Sequence, residues 1–152
     1  MTKLTAQVRA FHAKFGHPIK DTPHVPDADL LKFRLLLIVE EFCELMTAAL
    51  PSVARRIDLT KLTLNEAIRR TFDPATLDFP EFVDAMADLD FVIEGTRAVC
   101  GIDGSPIADE VYRANMDKDP AYVGAKDRYK WGYRDKPSKP KAWRPPDTVG
   151  EL

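Results

Sequence analysis

The sequence predicts an all-α fold of four to five helices, and three observations predict it. Apolar residues recur at three- and four-residue spacing over long stretches, as one buried helix face requires. Proline and glycine fall mainly where those stretches end. Neither a parallel-sheet pattern nor an internal repeat is present.

Residues 3–15 place Leu4, Val8, Phe11 and Phe15 on one helical face, and Gly16 and Pro18 end that helix. Pro18, Pro23 and Pro26 make 17–28 an extended loop. Asp27 or Asp29 caps the next helix, which runs to about Leu50 before Pro51. In 52–80, Val53, Ile57, Leu64, Ile68 and Phe72 suggest one or two short helices, broken at Asp73-Pro74 and Phe79-Pro80. Pro80 suits the first turn of a helix over about 80–100, and Gly101 suits its end. That helix carries Phe82, Met86, Leu89, Val92, Ile93 and Val99. Asp103 or Ser105 caps a last helix at about 106–117. From Asp119 onward five prolines and many polar residues predict an irregular arm, with a possible short hairpin at Trp131-Gly132-Tyr133.

The 152 residues fit a single domain, 1–152, with 119–152 as its C-terminal arm. With 45% hydrophobic and 30% charged residues the composition is that of an ordinary globular protein. The net charge of −2 comes without a basic block, so no nucleic-acid polymer is expected as partner. The longest apolar runs fall well short of the roughly 20 residues a membrane span needs, so no membrane partner is expected either. Residues 1–9 lack the apolar core of a signal peptide. Cys43 and Cys100 make no disulfide framework; their apolar helical surroundings predict buried free thiols and a cytoplasmic location.

The chemistry begins at Glu40-Glu41-Phe42-Cys43-Glu44, directly after Leu35-Leu36-Leu37-Ile38-Val39. Glu40 and Glu44 are four apart and Glu41 and Glu44 three apart, so their side chains point the same way on a helix. Such like-charge pairs cost about 0.2–0.5 kcal/mol each. A second acidic group, Asp84 and Asp88, shares one face of the later helix, with Glu81 seven before Asp88. Acidic residues on a helix are ordinarily a solvated face. Two such clusters beside apolar stripes point instead to an all-oxygen cage for a hard cation, Mg²⁺ or Mn²⁺. Zinc is disfavoured, because His12, His17 and His24 all precede the acidic helices. A di-iron bundle is disfavoured because neither acidic helix holds a histidine.

The ordered set of motifs resembles the all-α nucleoside triphosphate pyrophosphohydrolases, which include MazG-type enzymes, dimeric dUTPases and phosphoribosyl-ATP pyrophosphohydrolase. The resemblance rests on Glu40-Glu41-x-x-Glu44, Ala87-Asp88-Leu89-Asp90-Phe91-Val92, Gly95-Thr96, Gly101-Ile102-Asp103, Glu110-Val111, Arg113-Ala114-Asn115-Met116, Lys118 and Trp143-x-Pro145-Pro146-Asp147. Phe11-His12 and Phe15-Gly16 add to it. The sequence departs from the family's usual Glu-x-x-Asp second motif: Ala85 stands where the glutamate belongs, Asp84 is the nearest substitute, and Glu81-x-x-Asp84 is the alternative.

The resemblance implies a MazG-like helical bundle assembled as a homodimer or homotetramer. It implies hydrolysis of a nucleoside triphosphate between its α- and β-phosphates, giving a monophosphate and pyrophosphate. Glu41, Glu44, Asp84 and Asp88 would then hold Mg²⁺ (or Mn²⁺), and Glu40 would be the general base. Asn115 and Lys118 correspond to phosphate and sugar contacts; Phe11, Phe15 and His12 could meet the base, and Arg34 a phosphate. Trp143 and Asp147 fit an ordered tail anchored on the body or on a neighbouring subunit. The alternatives are a phosphoribosyl-ATP pyrophosphohydrolase of histidine biosynthesis, and a non-catalytic helical oligomer that binds nucleotides or a protein partner.

Overall fold

The computed structural model describes residues 2–119, 137, 139–148 and 150. Five α-helices follow one another: α1 (Lys3–Phe15), α2 (Ala28–Ala49), α3 (Ala54–Thr71), α4 (Phe79–Cys100) and α5 (Gly104–Met116). Single 3₁₀ turns, Pro51–Val53 and Pro74–Thr76, precede α3 and α4. No strand occurs among the described residues, and none of their helices is long and apolar enough to cross a membrane. The hairpin expected at Trp131-Gly132-Tyr133 lies outside them.

The helix ends have local causes. Asp27, rather than Asp29, caps α2 by accepting the Leu30 N–H at 2.8 Å. Asp78 accepts the Glu81 N–H at the start of α4, and Asp103, rather than Ser105, caps α5. Gly16 (φ 67°) and Gly101 (φ 70°) end α1 and α4 in the left-handed conformation that glycine adopts without strain. The expectation of one or two short helices over 52–80 resolves into one long helix, α3. Its inward stripe is Ile57, Lys61, Asn65, Ile68 and Phe72, whereas Leu64, expected on that stripe, is exposed.

The chain divides into two compact units. One contains α2 and α3, which pack against each other across the Pro51–Val53 turn. Leu31, Phe33, Leu36 and Cys43 are its buried apolar residues, and three of them, Phe33, Leu36 and Cys43, share one face of α2. The other unit contains α1, α4, α5 and the described tail. There α1 lies against α5: Lys3 Nζ and Gln7 Nε2 both donate to Asp109, at 2.5 and 2.7 Å. The tail joins the same helix, with the Trp143 indole N–H donating to the Ala114 carbonyl at 2.6 Å.

One expectation about burial fails. Cys43 is buried as expected, but Cys100 is exposed, at the end of α4. The apolar stripe of α4 is not a core stripe. No residue of α4 is buried, and Val83, Leu89, Phe91, Val92, Ile93 and Val99 are all exposed, Phe91 by 80% and Val99 by 89%.

Two glycines of α4 give opposite expectations. Gly101→Ala places a Cβ on a left-handed residue and lowers stability by about 1 kcal/mol. Gly95→Ala meets nothing within 4 Å in the helix interior, and raises helix stability by up to about 1 kcal/mol. Urea unfolding of the two variants beside the parent checks both signs.

Candidate active site

The acidic residues of α2 occupy its second half, beyond the buried Phe33 and Leu36. Glu40 shares the face of Phe33, Leu36 and Cys43 and is half-buried, while Glu41 and Glu44 are exposed. Asp84 and Asp88 lie one turn apart on α4, in the other unit, and are exposed as well. Among the described residues, Glu41, Glu44, Asp84 and Asp88 have no ion-pair or hydrogen-bond partner. Some carboxylates elsewhere do have one: Asp109 with Lys3, Asp21 with Arg9, Glu66 with Arg70, Glu94 with Arg97, and Glu110 and Asp117 with Arg113. Asp29, Asp58, Glu81 and Asp90, like the four, have no described side-chain partner.

Oxygen donors without competing cations suit a hard divalent ion in chemistry. The described residues nevertheless contain no group of three or more His, Cys, Asp or Glu side chains close enough to hold a metal. Of the four expected ligands, Glu41 and Glu44 lie on α2 and Asp84 and Asp88 on α4. Arg34 lies seven residues before Glu41, on the same face. Its side chain is exposed overall, yet desolvation around the guanidinium lowers its pKa. An arginine remains cationic there.

The expected substrate contacts fall in the α1–α5–tail unit. Asn115, in the last turn of α5, accepts a hydrogen bond from Lys118 Nζ at 2.6 Å through Oδ1. Asn115 also lines a small cavity of about 90 Å³ between α1 and α5, with Gln7, Phe11, Ala108 and Tyr112. His12 is near that cavity in sequence but does not line it. Its Nδ1 lies 3.1 Å from the Pro18 carbonyl oxygen, and its ring meets His17 at 5.2 Å between centroids. Phe11 and Phe15, at 4.7 Å, pack on each other and are half-buried. The structure thus brings Phe11, Asn115 and Lys118 together.

A model of the family described as phosphoribosyl-ATP pyrophosphohydrolase matches residues 8–115. The chain belongs to that family. The enzyme is a pyrophosphohydrolase, a hydrolase acting on phosphoric anhydride bonds, rather than the non-catalytic oligomer. Its fold is similar to the crystal structure of a protein from Exiguobacterium sp. 255-15, named as a candidate NTP pyrophosphohydrolase. The TM-score is 0.60 at 21% identity, over 95% of this chain and 89% of that one. No curated protein matches the chain.

One polar residue of the pyrophosphohydrolase escaped the sequence reading. Asn65 is the buried polar residue of α3, 8% exposed, and its Oδ1 has no hydrogen-bond partner among the described residues. A buried amide oxygen left unpaired costs about 1–3 kcal/mol. The available signal was an asparagine four and three residues from Lys61 and Ile68 on the stripe that faces inward. Arg113, part of the motif Arg113-Ala114-Asn115-Met116, bonds Glu110 and Asp117 and also donates to the Pro145 carbonyl, at 3.2 Å.

Two carboxylates of α5 have depressed pKa values. Hydrogen bonds from Lys3 and then Gln7 lower that of Asp109; the Arg113 guanidinium, and then the Asp147 N–H, lower that of Glu110. A carboxylate depressed in the folded state stabilises the fold above its unfolded pKa and loses that contribution as pH falls through the folded value. Acid unfolding followed by circular dichroism below about pH 4.5 should therefore be shallower for Glu110→Gln than for the parent. An unchanged acid limb would show that the Arg113–Glu110–Asp147 contacts do not contribute.

Proposed function

We propose that the enzyme hydrolyses a nucleoside triphosphate between the α- and β-phosphates, in a Mg²⁺-dependent reaction, to a monophosphate and pyrophosphate. The observation that carries this reading is the set of unpaired carboxylates: Glu41, Glu44, Asp84 and Asp88 have no described cation of the protein's own. Triphosphate and carboxylates repel, so an anionic substrate can approach such a set only with a cation. Glu41, Glu44, Asp84 and Asp88 are the proposed ligands of Mg²⁺, with Mn²⁺ as a substitute. Bound to them, the ion would polarise phosphoryl oxygens and offset the charge of the leaving pyrophosphate.

The chain's own groups divide the remaining tasks. Glu40, half-buried beside the exposed pair, orients the attacking water and accepts its proton. Lys118 neutralises phosphate charge, and Asn115 hydrogen-bonds the sugar or phosphate from the edge of the α1–α5 cavity. Arg34, on the face of Glu41, supplies a further cation for phosphate. Phe11 borders the same cavity and His12 follows it in sequence, which suits them to the base.

Phosphoribosyl-ATP is the second substrate reading, and the family match favours it. The match ends at residue 115, before Lys118 and before the tail that bonds α5, so the first reading takes account of more of the chain. The exposed apolar face of α4 supports assembly as a homodimer or homotetramer. A cytoplasmic location is proposed with it.

Incubation with Mg²⁺ and a panel of dNTPs, NTPs and phosphoribosyl-ATP, resolved by ³¹P NMR, is expected to show monophosphate and pyrophosphate from a dNTP or NTP. Turnover of phosphoribosyl-ATP alone would select the second reading, and release of orthophosphate would refute cleavage at the α–β bond. Glu44→Ala and Asp88→Ala are each expected to lower kcat by at least about 100-fold, with helicity unchanged. Asp84→Ala, compared with Glu81→Ala, tests which of the two replaces the missing family glutamate.

A further inference from the structure

We propose that Trp143 is a positioning residue for nucleotide binding: its indole N–H closes the last turn of α5 and so holds Asn115 and Lys118 in place. The proposal rests on the reading of those two residues as nucleotide contacts.

The last four carbonyls of a helix have no partner within it. In α5 they belong to Arg113, Ala114, Asn115 and Met116. The Asp117 N–H donates to the Arg113 carbonyl at 3.0 Å, and the Lys118 N–H to that of Asn115 at 3.3 Å. The other two partners come from distant parts of the chain. Lys14 Nζ donates to the Met116 carbonyl, and Trp143 Nε1 to that of Ala114, at 2.6 Å.

Ala114 is only 1% exposed, so little water can replace the indole at its carbonyl. Loss of the Trp143 donor leaves a buried acceptor unpaired. The nearest relief is fraying of the turn that contains Asn115, the next residue. The tail is fastened to α5 again beyond the indole, so Trp143 does not act as a loose plug. The Lys139 ammonium lies 4.3 Å from the ring centroid, Arg113 donates to the Pro145 carbonyl at 3.2 Å, and the Asp147 N–H reaches Glu110 at 3.3 Å. On the same turn, Asn115 both lines the α1–α5 cavity and receives Lys118 Nζ. One hydrogen bond from the tail thus sets the geometry of two proposed substrate contacts that the indole need not touch.

Trp143→Phe keeps an aromatic ring and removes the donor. Affinity for the four α,β-methylene deoxynucleoside triphosphates, measured by calorimetry in Mg²⁺ buffer, is expected to fall about 5- to 10-fold for those that bind. ¹⁵N relaxation is expected to show added motion at Asn115 and Lys118, with the rest of α5 unchanged. Asn115→Ala alone should weaken binding, and the Trp143→Phe/Asn115→Ala double variant should be no weaker than Asn115→Ala alone. Additive losses, as a merely structural role would give, would overturn the proposal; so would parental affinity with unchanged relaxation in Trp143→Phe. If the parent binds neither these four nor the four corresponding ribonucleoside analogues, the nucleotide reading fails, and the relaxation data still decide whether the indole holds the turn. Should Trp143→Phe not fold, benzothienylalanine at position 143, with sulfur in place of N–H, provides the same comparison.

Discussion

Uncompensated negative charge is the constraint around which the function of this molecule is organised. Three carboxylates within about one turn of α2 repel one another, and no described side chain pairs with Glu41 or Glu44. A second pair on α4 is in the same state. Other acids of the chain are paired, on α3, on α5 and within α4 at Glu94–Arg97. A divalent cation carrying a polyphosphate would offset the charge of these four carboxylates. Membership of a pyrophosphohydrolase family would give that cation a reaction to serve.

The proposed nucleotide contacts depend on α5. Its N-terminal half fastens α1 through Asp109, and its C-terminal turn is completed by Lys14 from α1 and Trp143 from the tail. A helix of 13 residues is too short to be stable in isolation, so its tertiary partners decide whether it forms. The same partners fix Asn115 and Lys118. A tail that looks like an irregular appendage is, in energetic terms, part of the helix that presents those residues.

Much of this was legible in the sequence because it is encoded locally. Asp27, Gly16, Pro80 and Gly101 mark helix ends through their own side-chain or backbone preferences, and the structure places the ends there. Trp143 could be expected as an anchor because an indole surrounded by prolines and polar residues needs a surface to pack on. What was not legible depends on packing between distant segments. Periodicity identified an apolar stripe on α4 but does not say what covers it, so Cys100 was expected to be buried and is exposed. On α3 the apolar pattern favoured Leu64, yet Asn65 takes the inward position. The carboxylates were identified by spacing within each helix. Spacing is silent on how pairs from two helices come together, and the described residues hold no cluster of three.

The central claim is that the acidic cluster of α2 is a liability which a bound cation turns into a stabilising feature. It is tested most directly by thermal unfolding of the parent and of Glu44→Gln, each in EDTA and in Mg²⁺. In EDTA the variant should unfold at the higher temperature, because one of the repelling charges is gone. In Mg²⁺ the order should reverse, because only the parent gains the full free energy of ion binding. A parent more stable than Glu44→Gln in EDTA, or an order that Mg²⁺ leaves unchanged, would contradict the account.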